Sequence, residues 1–289
     1  MGLNLEKIKA ALQSYENPAS GGTTGNDKLL RLDPGDDQVT VVVKIVPYKF
    51  NLEDPFLDMW FHYGLPGMRT ALCPRKMENT DCSVCEFGYK VLNKYKETKN
   101  PDDRKPLDVL LPKRRIYAPV VIMSGEEEKV VKLWGFGETV HQELLRYAFE
   151  FGNEGVDITD PKNSPEFKIT VQSPKRTGKK FNTTTIAEVK EGLKIKTSAL
   201  ASTAKEITKI LDTCPNISEI YSPKTSEQMK EALDKYVRGE TTSSTDSQSD
   251  MGTEKNFEKK ESTDEGAAST EETLEDISKK FRAMANKGK

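Results

Sequence analysis

Hydrophobic positions between residues 30 and 240 follow the period of strands in some segments and that of helices in others. The strongest strand is predicted at residues 39–46, where β-branched residues follow one another almost without interruption. Further strands are predicted at residues 56–63, 115–123, 129–134 and 167–171, with a short extended segment from Phe181. Helices are predicted at residues 83–97, 138–151, 199–212 and 224–238, and loops at residues 99–106 and 175–180.

Short strands with helices inserted between them favour a mixed α+β or mainly β fold over a doubly wound parallel sheet. The expected architecture is an OB-type barrel elaborated by helices. In the helix at residues 138–151, the residues predicted to face inward are Val140, Leu144, Leu145 and Ala148.

The two ends of the chain differ from this core. Residues 3–15 form a predicted amphipathic helix that is too short to be stable alone, so it docks on its own core or on a neighbouring protomer. Residues 239–269 are rich in Ser, Thr, Asp and Glu, which is the composition of disorder. A capping box at residues 269–272 then opens a helix whose apolar side holds Leu274, Ile277, Phe281 and Met284. Such a helix is typical of a partner-binding peptide, the alternative being that it folds back on its own core.

Charge supports a division into three parts: an arm and linker at 1–27, a core at 28–238, and a tail at 239–289. Residues 28–239 carry a net charge of +3, and residues 240–276 carry a net charge of −9. Residues 277–289 hold five bases and no acid. A mildly basic core followed by an acidic tether with a basic tip is frequent among nucleic-acid-binding proteins.

The clearest chemical motif is a set of four residues that can bind a metal: His62, Cys73, Cys82 and Cys85. Three thiolates and one imidazole complete a tetrahedral zinc shell and leave no position for water, so the predicted Zn²⁺ is structural and staples a subdomain at about residues 60–110. The alternatives are buried free cysteines or a redox Cys-x-x-Cys pair. Cysteines committed to metal imply a reducing compartment, and the sequence shows neither a signal peptide nor a membrane-spanning stretch.

The motifs of enzymes do not accompany these cysteines. A zinc deaminase needs His-x-Glu and Pro-Cys-x-x-Cys, whereas Tyr63 and Gly64 follow His62 and Asp81 precedes Cys82. The sequence also lacks His-Glu-x-x-His, Gly-x-Ser-x-Gly and Walker-type motifs. The sequence therefore predicts a binding protein and no catalytic residues.

Basic and aromatic residues alternate at several places, as in proteins that bind single strands. Bases stack on aromatic rings for roughly 1–3 kcal/mol each, while Lys and Arg pair with phosphates. The residues predicted to contact nucleic acid are Lys113, Arg114, Arg115, Tyr117, Lys132, Trp134, Tyr89, Tyr95, Lys179, Lys180 and Phe181.

On these residues, the chain resembles the single-stranded DNA-binding, or helix-destabilising, proteins of T-even-like bacteriophages. The resemblance lies in the His and three Cys, in residues 110–117, in the lysine-rich segment 129–137, and in residues 167–171 with Phe181. It implies an OB-type core with a zinc flap beside a DNA cleft. It also implies sequence-independent coating of single-stranded DNA in phage replication, recombination and repair, in the cytoplasm of an infected bacterium.

The resemblance further implies partners: other copies of the protein along the strand, contacted through the N-terminal arm, and replication or recombination proteins, contacted through the C-terminal tail. Both ends depart from the family. The arm offers only Lys7 and Lys9, and the chain ends in bases after residue 276. The alternatives are a zinc-containing scaffold without affinity for nucleic acid and a regulatory protein that binds RNA or duplex DNA.

Overall fold

The computed structural model describes residues 26–123, 129–192 and 194–239. The predicted helices at residues 3–15 and after residue 269, and the predicted disordered tether from residue 240, lie outside these residues. Within the described part of the chain, no helix is both long and apolar enough to cross a membrane.

Ten strands occur in the described residues, and eight of them form one mixed sheet. In chain order they are β1 (Leu29–Leu30), β2 (Gln38–Ile45), β3 (Leu57–Leu65), β4 (Met68–Leu72), β5 (Lys113–Ile122), β6 (Val131–Phe136), β7 (Phe167–Gln172), β8 (Thr183–Glu188), β9 (Lys190–Glu191) and β10 (Lys194–Ile195). The sheet runs β1-β6-β5-β2-β7-β8, with β3 paired to both β5 and β4. The pair β1–β6 is parallel and the other pairs are antiparallel.

Nine helices connect these strands, besides a 3₁₀ turn at Asn26–Lys28. They are α1 (Pro74–Met77), α2 (Ser83–Thr98), α3 (Pro101–Arg104), α4 (Leu107–Leu110), α5 (Glu138–Asn153), α6 (Pro174–Thr177), α7 (Ala204–Asp212), α8 (Ile217–Ile220) and α9 (Ser226–Val237).

Strand β5 joins two parts of the described structure. Residues 120–122 of β5 pair with β2 and residues 113–117 pair with β3, so β2 and β3 lie one after the other along one edge of β5. Strand β6 pairs with the opposite edge. Through its pairing with β3, β5 connects the hairpin of β3 and β4 to the main sheet. This hairpin carries His62, and Cys73 follows directly after it.

The mixed α+β character is confirmed, but the predicted closed barrel is wrong for the described residues. The sheet ends at β1 and at β8, and these strands do not pair with each other. Helix α5 instead contacts both β5 and β8 and covers the apolar face of the sheet with Val140, Leu144, Tyr147 and Phe151. An apolar face that a helix covers needs no closure of the sheet onto itself.

Most predicted elements lie within a few residues of the observed ones, and the differences have local causes. Short helices α3 and α6 occupy parts of the segments at residues 99–106 and 175–180, for which the sequence predicts loops. Each places proline in its first turn, where the missing N–H costs nothing, and Asn100 and Ser173 cap their first free amides. Strand β4 was not predicted, and Leu145 is 47% exposed instead of facing inward.

Three hydrophobic clusters form the core. The first lies between the main sheet and α5, and the second covers the other face of β5 and β6 beneath residues 200–221. The third surrounds the three cysteines of the motif and includes Met229 and Ala232 of α9. Helix α9 is distant in sequence from the motif, yet it contacts both α2 and β3.

A buried lysine holds the main sheet to two of its loops. Lys44 of β2 is fully buried, and its ammonium group donates to the carbonyl of Ser164 at 2.7 Å, to the hydroxyl of Ser164 at 3.1 Å, and to the carbonyl of Ser198. Ser198 donates to Glu166 at 2.6 Å, and Lys196 pairs with the same carboxylate at 3.0 Å. Burial lowers the pKa of Lys44 to about 8, although the carboxylate of Glu166 opposes the shift.

Candidate metal centre and nucleic-acid face

The four residues of the metal-binding motif converge from three elements. His62 lies in β3, Cys73 is the N-cap of α1, Cys82 is the N-cap of α2, and Cys85 lies in the first turn of α2. The amide of Cys73 donates to the carbonyl of Trp60 at 2.8 Å, which holds this cysteine beside β3. All four side chains are fully buried, and their ligand atoms lie within 4.8 Å of one another.

The distances fit a cluster that closes around one ion. The sulfur atoms of Cys73 and Cys85 are 3.3 Å apart, and Nε2 of His62 lies 3.5 Å from the sulfur atoms of Cys82 and Cys85. Two sulfurs on a tetrahedral zinc would be about 3.8 Å apart, whereas two disulfide-bonded sulfurs would be about 2.05 Å apart. The cysteines are free. The cluster can therefore hold a metal ion.

The charge state of the thiols also favours a cation. Hydrogen bonds from Cys82 and Cys85 lower the pKa of Cys73 to about 3. The pKa of Cys85 is raised, first by its hydrogen bond to Cys73 and also by burial. These hydrogen bonds therefore favour the thiolate form of Cys73 and the thiol form of Cys85. A divalent cation would remove the repulsion that prevents the second ionisation.

Strand β3 links the metal centre to a second surface. Side chains alternate along a strand, so His62 points to the metal centre while Phe61 and Tyr63 point to the opposite side. Phe61 is paired with Lys113 of β5, and Met59 with Arg115. A metal ion that fixes His62 therefore also fixes the strand from which these aromatic rings project.

The opposite side of β3 and β5 combines aromatic rings with bases. The phenol oxygens of Tyr117 and Tyr221 are 2.9 Å apart, and the ring of Tyr221 lies 4.9 Å from that of Phe61. Lys113 and Arg115 lie on the same side of β5, two residues apart, and keep part of their surface exposed. This aromatic-basic face consists of the partly exposed side chains of Lys113, Arg115, Tyr63 and Tyr221. It also includes the buried rings of Phe61 and Tyr117, which pack against the two exposed tyrosines.

Arg114 points away from this face. Its guanidinium donates to both oxygens of Asp58, at 2.8 and 2.7 Å, and lies 3.8 Å from Glu138. The hydrogen bonds to Asp58 raise the pKa of Arg114. A phosphate could bind Arg114 only after displacing this bidentate carboxylate partner. Arg115 also has a partner, since its guanidinium donates to the carbonyl of Gly135 at 2.8 Å.

Two predicted stacking rings are buried. Trp134 is 3% exposed and packs 4.6 Å from Phe136 in the main core, so the stacking role predicted for Trp134 is wrong for this structure. Tyr117 is 7% exposed, and burial raises its pKa. Its ring lies against Gly135, where an added Cβ would approach it to 2.7 Å. Tyr117 supports the aromatic-basic face from below and does not offer a free surface to a base.

The other predicted contacts are spread over the molecule. Tyr89 and Tyr95 are partly buried against the metal-centre cluster, and Arg75 lies 5.2 Å over the ring of Tyr89. Lys132 is paired with Val120, on the side of β5 away from Tyr117. Lys179, Lys180 and Phe181 follow α6 and precede β8, and the ammonium of Lys180 lies 5.5 Å from the Phe181 ring. The structure brings only Lys113, Arg115 and Tyr117 of the predicted contacts onto the aromatic-basic face.

Sequence reasoning missed three rings of this face. Phe61 and Tyr63 could have been found from the alternation within the predicted strand at 56–63, once His62 had been assigned to the metal. Tyr221 follows α8, and its approach to Tyr117 has no local signature in the sequence.

The burial of Trp134 gives a direct spectroscopic prediction. The chain has two tryptophans, so a Trp60→Phe variant reports on Trp134 alone. We expect blue-shifted emission that iodide hardly quenches and that single-stranded DNA leaves unchanged, because the ring is inside the core. Red-shifted emission that either reagent quenches strongly would show that Trp134 is exposed.

A buried His and Cys cluster that can hold a metal ion, beside a face of aromatic rings and bases, is typical of proteins that bind nucleic acid. Residues 25–238 match the family model described as gp32 DNA binding protein like. The chain therefore belongs to this family, that of the single-stranded DNA-binding proteins of T4-like phages. A comparison with curated protein sequences gives no match.

Proposed function

We propose that the protein coats single-stranded DNA without regard to sequence during phage DNA replication, recombination and repair. The observation that supports this most strongly is the aromatic-basic face on β3 and β5, joined through β3 to the metal centre. Rings serve any base because every base has a π face, and lysine and arginine neutralise phosphates irrespective of sequence.

Within this proposal each group has a physical role. Lys113 and Arg115 pair with phosphates, and the partly exposed rings of Tyr63 and Tyr221 stack with bases over the buried Tyr117. The other residues predicted to contact DNA lie away from this face and would bind further parts of the strand; they are Arg114, Lys132, Tyr89, Tyr95, Lys179, Lys180 and Phe181.

The metal in the proposal is Zn²⁺, held by the four ligands described above. A shell of three thiolates and one imidazole has no open position, so zinc contributes structure and supplies no reactive water. The ion would hold β3 and the start of α2 in a fixed arrangement beside the DNA.

The proposed division of labour places DNA binding in residues 28–238. The arm at residues 1–27 would contact a neighbouring copy along the strand, and the tail at residues 239–289 would recruit replication or recombination proteins in the host cytoplasm. These roles rest on the family and on the sequence of the two ends.

The test is a pair of substitutions on the aromatic-basic face. For single strands, each phosphate contact contributes about 0.7 to the slope of log affinity against log salt concentration. Lys113→Ala combined with Arg115→Ala is therefore expected to weaken poly-dT binding and to lower this slope by about 1.4. Isothermal titration at several salt concentrations measures both quantities.

The matched control is Arg146→Ala. Arg146 is an exposed arginine on α5 that pairs with Glu143 and Glu150, away from the face. Its removal should leave the slope unchanged. If the double variant and the control behave alike, Lys113 and Arg115 do not contact the strand. Preferred binding of RNA or duplex DNA in a competition assay would instead support the regulatory alternative.

A further inference from the structure

Helix α5 carries a pair of exposed apolar residues that are not part of the aromatic-basic face. Leu145 is 47% exposed and Phe149 is 71% exposed, and they lie one turn apart on the same side of the helix. On the opposite side, Leu144, Tyr147 and Phe151 are buried against the sheet. Within the described residues, the apolar pair therefore buries little surface and contributes little to the stability of the fold.

The surroundings of the pair are acidic. Residues 138–154 contain four glutamates and one arginine, and this arginine already pairs with two of the glutamates. An apolar patch within an acidic helix is complementary to an amphipathic segment that carries positive charge.

The chain contains one such segment in its own C-terminal sequence. Residues 270–289 place Leu274, Ile277, Phe281 and Met284 at helical spacing, and the five bases of residues 277–289 have no acid among them. The N-terminal segment at residues 3–15 is a poorer match because its two lysines accompany a glutamate.

The connecting chain is long enough. Residues 240–270 separate the segment from the end of the described core, and a flexible chain of this length spans roughly 30 Å on average. Its acidic composition favours an extended state without affinity for the acidic helix.

We propose that the C-terminal segment at residues 270–289 docks on α5 of the same molecule, with its apolar side on Leu145 and Phe149. Its bases then face the glutamates of the helix. The docked segment would hide its own apolar side, so a protein that binds the tail has to compete with α5.

Limited trypsin digestion of the full chain tests this. Lys279, Lys280 and Arg282 lie in the proposed docked segment, and Lys255, Lys259 and Lys260 in the tether serve as an internal reference. Because proteases cut undocked segments first, the segment should be cleaved several-fold more slowly than the tether. Leu145→Ser with Phe149→Ser should raise the cleavage rate of the segment to that of the tether.

Phe50→Ser with Leu52→Ser is the matched control, because both residues are also large, apolar and exposed. It should leave the protection unchanged. Equal cleavage of segment and tether in the unmodified chain would overturn the proposal, as would protection that survives the substitutions on α5. Protection that disappears on dilution would show that a second copy supplies the segment and would overturn docking within one molecule.

Discussion

Cys85→Ser is expected to abolish stoichiometric metal binding and to lower the free energy of unfolding by about 3–5 kcal/mol. Removing one member of a buried charged cluster leaves the others uncompensated, which costs about this much. This loss is smaller than the roughly 10–16 kcal/mol of apparent binding energy that structural zinc contributes in small zinc-finger domains. The reason is that the apolar cluster around the metal centre stabilises this part of the fold even without the ion. Denaturant unfolding and elemental analysis of the purified protein measure the two effects.

The same variant should bind single-stranded DNA more weakly. Strand β3 carries His62 on one side and two rings of the aromatic-basic face on the other, so loss of the metal loosens both. The effect should appear as lower affinity with a largely preserved salt slope, since Lys113 and Arg115 remain in place.

Cys214→Ser is the matched control for this experiment. Cys214 is also a buried cysteine, but it lies in the second hydrophobic cluster and not in the metal centre. Its substitution should retain the metal and full DNA affinity, with a loss of about 1 kcal/mol for burying a hydroxyl in place of a thiol. Metal content that is unchanged in Cys85→Ser, or lost equally in Cys214→Ser, would contradict the assignment.

Lys44 should make stability depend on pH in the alkaline range. Its pKa is about 8 in the folded protein against 10.5 for an unperturbed lysine, so the unfolded chain binds more protons between these values. Stability must then rise as pH increases from 8 towards 10.5, by up to about 3 kcal/mol. The measurement is best stopped at pH 10, because the raised pKa values of Tyr48 and Tyr117 remove stability above it.

Lys44→Met should abolish this rise. It should also cost about 3 kcal/mol at neutral pH, because the carbonyls of Ser164 and Ser198 lose their donor inside the core. Lys168→Met on the neighbouring strand β7 is the control, since Lys168 is exposed, and it should keep the rise. If the free energy of unfolding of Lys44→Met depends on pH as it does in the unmodified chain, the alkaline rise does not come from a lowered pKa of Lys44.

The features that could be predicted from the sequence are those that depend on residues close to one another in the chain. The cluster that can hold a metal ion is predictable because a metal site needs particular residue types, and the Cys-x-x-Cys spacing is local. Helices α2, α5 and α9 were found because their apolar period is set within each segment. In both cases the information lies within about twenty residues of sequence.

Features that depend on distant contacts were missed. The alternation around Trp134 shows that the two faces of β6 carry different kinds of residues. It does not show that the face with Trp134 is buried, because this burial depends on β1 and α5, which come from other parts of the chain. Whether this sheet closes into a barrel depends on whether a helix covers its apolar face. The sequences of the strands do not contain that information. Lys44 interrupts an otherwise apolar strand, and only the approach of two remote loops explains its burial.

Binding of poly-dT as a function of salt concentration, with metal content determined on the same sample, tests the central proposal most directly. We expect one zinc ion per chain, tight binding at low salt that weakens steeply as salt increases, and little competition from duplex DNA. Bound zinc without salt-dependent affinity for the single strand, or equal affinity for the duplex, would contradict it.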